Sequence, residues 1–210
     1  MNKKLGPGTT VIHGGHGPYD NNLPTGPVVE ALHPSTTFGF ETVEDHQNSI
    51  FGGLTYPMYT RAASGNPTIR LLESRLAELY GAEAVLATAS GMSAINYCLM
   101  HLLRPGDHVL MGRNYRLTHN IAQQILGDRM GVNYNLVLSD NIKDFPQFFT
   151  DRTKALILDV PNNPLITVID LEEAVRVAHE HGILVIVDDT CATPLNLRSF
   201  EMGVDIVACA

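Results

Sequence analysis

A pair of acids at the end of an apolar run is the sequence feature best suited to chemistry. Asp188 ends the run ILVIVD at residues 183–188, and Asp189 follows it directly. A carboxylate in that position can hold a protonated ring nitrogen or a metal ion. It can equally cap a helix or close an Asx-turn. The residue types alone leave both interpretations open.

Two further turns and an irregular segment carry groups that bind anions or amide partners. The turn at 89–92 places Gly91 before a helix-like run, where the backbone N–H groups of a first helical turn attract an anion. The PNNP turn at 161–164 holds an asparagine amide in a rigid frame. Tyr59 and Arg61 offer a phenol and a guanidinium suited to a phosphate. A ligand-free turn, turn-forming asparagines and a solvent-facing arginine are the alternatives.

The histidine and cysteine spacings do not indicate a metal site. His179 and His181 are two residues apart, so they do not share one face of a helix. Cys98, Cys191 and Cys209 are far apart and form no CxxC pair. Neither a disulfide framework nor a cysteine zinc site is expected. Three widely spaced cysteines are typical of a reduced, cytoplasmic protein.

Alternating strands and helices must position these groups. Apolar runs predict strands at 84–88, 108–111, 133–139, 155–160, 183–188 and 204–210, and 3.6-residue periodicity predicts helices at 67–80, 91–103, 116–126 and 168–182. Continuous apolar strands alternating with helices indicate an α/β fold with a parallel sheet covered on both faces. Ligands of such sheets bind beyond the carboxyl ends of the strands. The loops at 89–92, 112–115, 161–164 and 188–194 all belong to that edge.

The first 58 residues lack a sustained period and are rich in Gly, Pro, Thr and His. We expect an arm at 1–58 and an α/β domain at 59–210. The domain's first helix should be capped by Asn66 and stopped by Gly81. Its apolar positions share one face: Ile69, Leu72, Leu76 and Leu79.

Composition excludes several classes of function. Of the 210 residues, 22 are acidic and 14 basic, for a net charge of −8, with no basic stripe for nucleic acid. No run approaches the length of a membrane span. The start, MNKKLGPGTT, has no apolar block and does not resemble a secretory signal.

Taken in chain order, the motifs resemble the pyridoxal-phosphate enzymes of cysteine and methionine trans-sulfuration, which include cystathionine lyases, cystathionine γ-synthase, methionine γ-lyase and homoserine-ester sulfhydrylases. The matching stretches are TTVIHGG, TGPVVEALHPSTTFGF, YTRAASGNPT, LATASGMSAI, LLRPGDHVLM, PNNPLITVIDLEEAVRVAHEHGILVIVDDTCATP and EMGVDIVA. Any one of them is weak, whereas the ordered series is specific. The resemblance implies the large domain of a PLP-dependent transferase of the aspartate aminotransferase type I, with a mostly parallel sheet and an extended N-terminal arm.

The resemblance assigns a phosphate-binding role to four residues. Gly91 and Met92 would give backbone N–H groups to the phosphate of pyridoxal 5′-phosphate. Tyr59 and Arg61 would reach the phosphate in the neighbouring subunit, so that two subunits share each active site. A homotetramer built as a dimer of dimers is the implied assembly, with the arm at 1–58 contacting the neighbouring subunit.

Three more residues would contact the cofactor ring. Tyr115 would stack on the pyridine and is a candidate for proton transfer, and Asn163 would bond the phenolic oxygen. Asp188 would pair with the ring nitrogen and keep it protonated, which makes the ring an electron sink. Tyr115 and Asp188 are therefore the expected catalytic residues.

The sequence departs from the family pattern in three places. Four residues, AASG, separate Arg61 from Asn66 where the family usually has two. DDT replaces the usual DNT, so Asp189 is an additional charge that either raises the pKa of a neighbour or points to solvent. The family's cofactor-attaching lysine and C-terminal domain would follow the segment 204–210. None of the lysines present matches that lysine: Lys3, Lys4, Lys143 and Lys154.

The implied activity is that of a PLP-dependent carbon–sulfur lyase or transferase acting on a small sulfur amino acid. It would remove the α-proton and eliminate or replace a leaving group at the β or γ carbon. GDHVLM followed by Tyr115 and Arg116 favours cystathionine β-lyase, whereas SGNPT is more typical of γ-type enzymes. Cystathionine γ-synthase, γ-lyase and homoserine-ester sulfhydrylase chemistry are the alternatives. The 210 residues by themselves are expected to be inactive, and a non-catalytic fragment or relic that associates with an intact homologue is the alternative of another class.

Overall fold

The described part of the chain forms two compact units. The computed structural model describes residues 6–13, 31–51, 57–61 and 65–210, apart from the side chains of His13 and Phe51. The units are Met1–Ala87 and Thr88–Ala210. This division follows the helix at 67–80, whereas the sequence analysis placed the end of an arm at residue 58. The arm itself stays a prediction.

The described part of the first unit contains three helices. They are α1 (Pro7–His13), α2 (Val43–Phe51) and α3 (Pro67–Tyr80). The expectation of irregular chain up to residue 58 was therefore wrong for α1 and α2. A cap at Thr42 starts α2. Thr42 Oγ1 accepts from the Asp45 N–H at 3.0 Å and donates to the Asp45 carboxylate at 2.6 Å. This reciprocal contact is a capping-box-like start.

Helix α3 begins and ends as predicted. The Asn66 side chain accepts from the Thr68 N–H, and Gly81 adopts a left-handed φ of 70° at the C-cap. Two of the predicted apolar positions are nonetheless exposed, Ile69 at 38% and Leu72 at 50%. The described residues thus leave part of the apolar face uncovered.

The predicted strand at 84–88 does not form. The segment lies outside the strands of the sheet, and Leu86 is 74% exposed. A strand needs a neighbouring backbone to satisfy its N–H and C=O groups. Here the Ala87 N–H donates to the Glu73 Oε1 at 2.8 Å instead. The run is apolar as predicted, but it pairs with no strand among the described residues.

The second unit contains a five-stranded parallel sheet in the order β2-β1-β3-β4-β5. The strands are β1 (His108–Met111), β2 (Asn133–Leu136), β3 (Thr153–Asp159), β4 (Leu184–Asp188) and β5 (Ile206–Ala208). The helices are α4 (Gly91–Leu102), α5 (Arg116–Ile121), α6 (Leu171–Glu180) and α7 (Thr193–Asn196). A π-turn at Ala122–Gly127 continues α5, and 3₁₀ turns lie at Ile142–Asp144, Pro146–Phe148 and Ser199–Met202. The predicted parallel α/β fold is confirmed.

Strand side chains alternate between two hydrophobic clusters, one on each face of the sheet. Leu158 and Val187 pack with Val175 of α6 in the first cluster. Ile157 and Ile186, one position earlier on the same strands, belong to the second cluster, which includes α4 residues. This alternation explains why the strands read as continuous apolar runs, since both faces are buried.

Asn66 joins helix α3 to the segment before it, and its replacement tests this connection. Its Nδ2 donates to the carbonyls of His33 and Ser35 at 2.7 and 3.0 Å, in addition to its Oδ1 cap of the Thr68 N–H. Asn66→Ala removes the cap and leaves two carbonyls without this donor. We expect a loss of about 2 kcal/mol in the free energy of unfolding, measured by urea denaturation.

The matched control for that measurement is Asn66→Ser. Serine keeps an oxygen for the cap and removes only the two donor bonds, so it should recover part of the loss. Equal stability of the alanine variant and the unmodified protein would contradict the assigned role of Asn66.

Candidate functional site

The carboxyl ends of β3 and β4 place two acids side by side. Asp159 and Asp188 are register partners in the parallel pair. Asp188 Oδ1 accepts from the N–H and the hydroxyl of Thr190, at 3.1 and 2.6 Å. Its Oδ2 accepts no hydrogen bond from the described residues, and the side chain is half-buried. The Asx-turn interpretation therefore holds for one oxygen, while the other is available to a ligand.

The loop after β1 presents Tyr115 at this edge. Gly112 continues the ladder by donating to the Ile157 carbonyl at 3.0 Å. Asn114 Nδ2 donates to the carbonyls of both Gly112 and Ile157, at 2.9 and 3.1 Å, and so fixes the turn. Tyr115 itself is 39% exposed and makes no side-chain cap bond to α5. Its ring is available as a stacking surface.

Two buried polar atoms behind this loop have no hydrogen-bond partner among the described residues. They are Asn114 Oδ1 and His119 Nε2. Burial lowers the pKa of His119, and a bond to the Gly112 backbone opposes that shift only in part. Burial of this side chain therefore favours the neutral imidazole. Sequence reasoning missed both residues, although Asn114, three residues after the buried strand β1, was a usable signal.

The turn before α4 offers backbone donors. The Ser90 hydroxyl accepts from the Ser93 N–H at 3.2 Å, and the Ser90 carbonyl accepts from the Ala94 N–H at 3.1 Å. The N–H groups of Gly91 and Met92 precede these bonds and are the open donors of the first turn. They lie at the positive end of a twelve-residue helix, which suits an anion.

A chain of close contacts connects that turn to Asp188. A Cβ on Gly91 would lie 2.6 Å from the Ala210 Cβ, so the turn approaches the end of β5 more closely than any other residue would allow. The Ala210 N–H in turn donates to the Thr190 hydroxyl at 3.0 Å, and Thr190 bonds Asp188. Gly91 and Asp188 therefore belong to one edge, as the sequence predicted.

The PNNP turn is held over the end of β3. The Asn163 N–H donates to the Asp159 Oδ2 at 3.0 Å, while the Asn163 side chain is exposed. The Asn162 N–H donates to the Thr167 carbonyl at 3.0 Å, which closes the turn. The structure thus leaves the Asn163 amide available at the same edge as Tyr115 and Asp188.

Tyr59 and Arg61 both lie in the first unit. The Arg61 guanidinium carbon lies 5.0 Å from the centre of the Tyr59 ring, a cation–π contact. Tyr59 also forms an antiparallel bridge with Thr37. Of the AASG segment at 62–65, residues 62–64 lie outside the described part of the chain. The roles of Tyr59 and Arg61 at a shared phosphate stay predictions.

Asp189 does not point to solvent. Its side chain is fully buried, and the Ser199 hydroxyl donates to its Oδ2 at 3.1 Å. One of the two expectations for this residue is therefore wrong. Adjacent residues at the end of a strand face opposite sides, so Asp188 opens to the edge while Asp189 packs into the body of the unit.

Asp159 is the main residue that sequence reasoning missed. Burial, the largest cause, and the nearby Asp188 charge raise its pKa to about 6, and bonds to the backbone of Asn163 and Tyr115 oppose the shift. It follows the apolar residues ALIL and ends β3, as Asp188 follows ILVIV and ends β4. The rule that singled out Asp188 would have found it.

The side chains at this edge fit pyridoxal phosphate. A half-exposed aromatic ring, a carboxylate with an open oxygen and a helix N-terminus can hold a flat ring, a protonated ring nitrogen and a phosphate. Within residues 6–13, 31–51, 57–61 and 65–210, no group of three or more His, Cys, Asp or Glu side chains could hold a metal ion. No helix in the same ranges is long and apolar enough to cross a bilayer.

Fold and site together define a PLP-binding α/β protein, and comparisons with known proteins agree. The profile of the Cys/Met metabolism PLP-dependent enzyme family matches residues 8–210. The chain belongs to that family. This confirms the resemblance and the expected cofactor class.

Individual relatives are similar over almost the whole chain. L-methionine gamma-lyase of Pseudomonas putida is 37% identical over 207 residues, which are 98% of this chain and 50% of that protein. Cystathionine beta-lyase of Lactococcus lactis subsp. cremoris is 33% identical over 201 residues, 95% of this chain and 49% of that protein. The chain therefore spans about half the length of these relatives.

A solved structure shows the same fold. The putative O-acetylhomoserine (thiol)-lyase of Campylobacter jejuni, which contains a pyridoxyl-lysine monophosphate, superposes with a TM-score of 0.84 at 27% identity. The match covers 97% of this chain and 49% of that one.

Gly112 tests how the loop bearing Tyr115 is positioned. A Cβ at this buried glycine would lie 2.7 Å from the Leu158 Cδ2 in the first hydrophobic cluster. Gly112→Ala should therefore lower the free energy of unfolding by about 1 to 3 kcal/mol, as measured by urea denaturation.

Gly39→Ala is the control for that substitution. No heavy atom lies within 4 Å of a Cβ placed there, and its φ is not positive. Its effect should stay within about 0.5 kcal/mol. If the two variants are equally stable, the close approach at Gly112 does not constrain the loop.

Proposed function

We propose that the chain is the cofactor-binding part of a PLP-dependent carbon–sulfur lyase of sulfur amino-acid metabolism. The observation that carries the proposal is the open Oδ2 of Asp188. That oxygen belongs to the same edge as the N–H groups of the Gly91 turn, the Tyr115 ring and the Asn163 side-chain amide. Family membership supports the same conclusion.

Each residue at the edge would make one contribution. Bound pyridoxal phosphate supplies an electron sink that stabilises negative charge at the substrate α-carbon. Asp188 holds the proton on the ring nitrogen, and Thr190 fixes the carboxylate that does so. Tyr115 supports the ring face and is the candidate for moving a proton at its phenol oxygen. Gly91 and Met92 bind the phosphate through their N–H groups.

The proposed reaction is β-elimination from cystathionine. The support is the 33% identity to cystathionine beta-lyase of Lactococcus lactis, together with the stretch around Tyr115. γ-Elimination from methionine is the second candidate, because methionine gamma-lyase of Pseudomonas putida is 37% identical. Both reactions begin with removal of the α-proton, so they make the same use of the edge described above.

We further propose that two subunits share each active site. The arm at 1–58 would contact the neighbouring subunit, and Tyr59 and Arg61 would reach its cofactor phosphate. The cation–π contact between these two side chains supports the idea, because it already holds the guanidinium beside the phenol. The proposed assembly is a homotetramer built from such dimers, located in the cytoplasm.

The full-length protein incubated with pyridoxal phosphate should bind it and release a 2-oxo acid from cystathionine faster than from methionine. Asp188→Asn keeps the oxygen that accepts from Thr190 and loses the charge that holds the ring proton. We expect kcat to fall about 100-fold or more while the circular dichroism spectrum is unchanged. Steady-state assays on both substrates measure this.

Each alternative predicts a different result in the same assay. Faster turnover of methionine would replace the β-lyase proposal with γ-lyase chemistry. A full-length protein that binds no cofactor and releases no 2-oxo acid would be a non-catalytic member of the family. Unchanged kcat in Asp188→Asn would remove this carboxylate from the mechanism.

Shared active sites predict complementation between two inactive variants. Arg61→Ala and Asp188→Asn damage opposite halves of a shared site, so a mixed dimer has one intact site. Random mixing after reversible dissociation should restore about a quarter of the unmodified activity.

A second mixture serves as the control. Asp188→Asn and Tyr115→Phe alter the same unit of the chain, and every site of their mixed dimer keeps one defect. That mixture should gain nothing. Failure of the first mixture to recover activity, with mixed dimers verified by mass spectrometry, would refute site sharing through Arg61.

A further inference from the structure

Asp159 connects the two loops that carry the proposed ring-contacting residues. Its Oδ2 accepts from the Asn163 N–H at 3.0 Å, and the Tyr115 N–H also bonds its carboxylate. One side chain at the end of β3 therefore holds the backbone of the loop after β1 and the backbone of the PNNP turn. It is only 7% exposed, so water replaces these bonds poorly.

We propose that Asp159 is a positioning residue that sets Tyr115 and Asn163 at the distance and angle the cofactor ring requires. The inference rests on the proposed cofactor site, because those two residues matter together only if one ligand contacts both. Asp159 does not itself contact the ring in this assignment. It acts through two backbone N–H groups.

The position of Asp159 is electrostatically costly, which argues against a purely structural role. Asp188 lies beside it in the register of β3 and β4, and burial together with that charge raises the pKa of Asp159 to about 6. Arg113 and Asp140, which line the same small cavity, pair with each other at 3.0 Å. The folded protein therefore holds the Asp159 proton more tightly than the unfolded chain does. Its stability contribution falls as pH rises from about 4 to about 6.

This cost gives Asp159→Asn two effects of opposite sign. Above about pH 6 the variant should melt no lower than the unmodified protein, and its relative thermal stability should rise as pH increases from about 4 to 6. Its amide has one accepting oxygen, uncharged, where the carboxylate has two, so it holds the two N–H groups less well. One or both loops should loosen even though the fold is not weakened.

The experiment compares three proteins in full-length form: unmodified, Asp159→Asn and the control Asp140→Asn. Hydrogen exchange of the Tyr115 and Asn163 amides, measured by NMR without cofactor, should be about tenfold faster in Asp159→Asn. Titration with pyridoxal phosphate, followed by its visible absorption, should show about tenfold weaker binding. Asp140→Asn removes a carboxylate that bonds Arg113 but neither loop amide, so both measurements should match the unmodified protein.

Each result bears on the proposal. Unchanged exchange at Tyr115 and Asn163 in Asp159→Asn overturns it. Faster exchange with unchanged cofactor affinity also overturns it, because Asp159 would then be structural only. If the unmodified protein does not bind pyridoxal phosphate, the proposed function fails and the cofactor role of Asp159 fails with it. The exchange data would still show, separately, whether Asp159 holds the two loops.

Discussion

The parallel register of β3 and β4 is the constraint on which the rest of the structure depends. It brings Asp159 and Asp188 to the same level at the carboxyl edge of the sheet. Both strands are buried on both faces, so a slip of one residue would force every side chain into the opposite hydrophobic cluster, where it does not fit. Two like charges are thereby fixed side by side, and the surrounding loops must supply donors. Thr190 does so for Asp188, and the backbone of Asn163 does so for Asp159.

Much of this edge could be predicted from local chemistry. A cap and a C-terminal glycine define α3 from the sequence alone, because Asn66 and Gly81 satisfy the helix ends within a few residues. The strands follow from apolar runs, and β1 was predicted with the bounds it has. The rule that parallel sheets bind ligands at their carboxyl ends then selected the loops of Tyr115, Asn163 and Gly91 without any knowledge of contacts.

What could not be predicted depends on partners distant in sequence. The run at 84–88 has strand-like residues, yet a strand forms only beside another strand, and no pattern within five residues reports that. Asn114 and His119 stand out only by their buried, unpaired polar atoms behind one loop, which the sequence does not report. The place of Asp189 was undecided because its direction depends on packing against Ser199, ten residues away. The roles of Asp159 likewise come from two loops that approach it from different parts of the chain.

The proposed site would suit a zwitterionic ligand, because it combines a helix N-terminus with two acidic side chains. At one end lies the N-terminus of α4, where the open N–H groups of Gly91 and Met92 would attract a phosphate. At the other end, Asp188 and Asp159 are register partners, and in the proposed site their negative charge would stabilise a protonated ring nitrogen. Asp189, although adjacent in sequence, is buried inside the unit, where its carboxylate accepts from the Ser199 hydroxyl. The proposed site would therefore orient a ligand that is anionic at one end and cationic at the other, as the stabilisation of negative charge beside the ring requires.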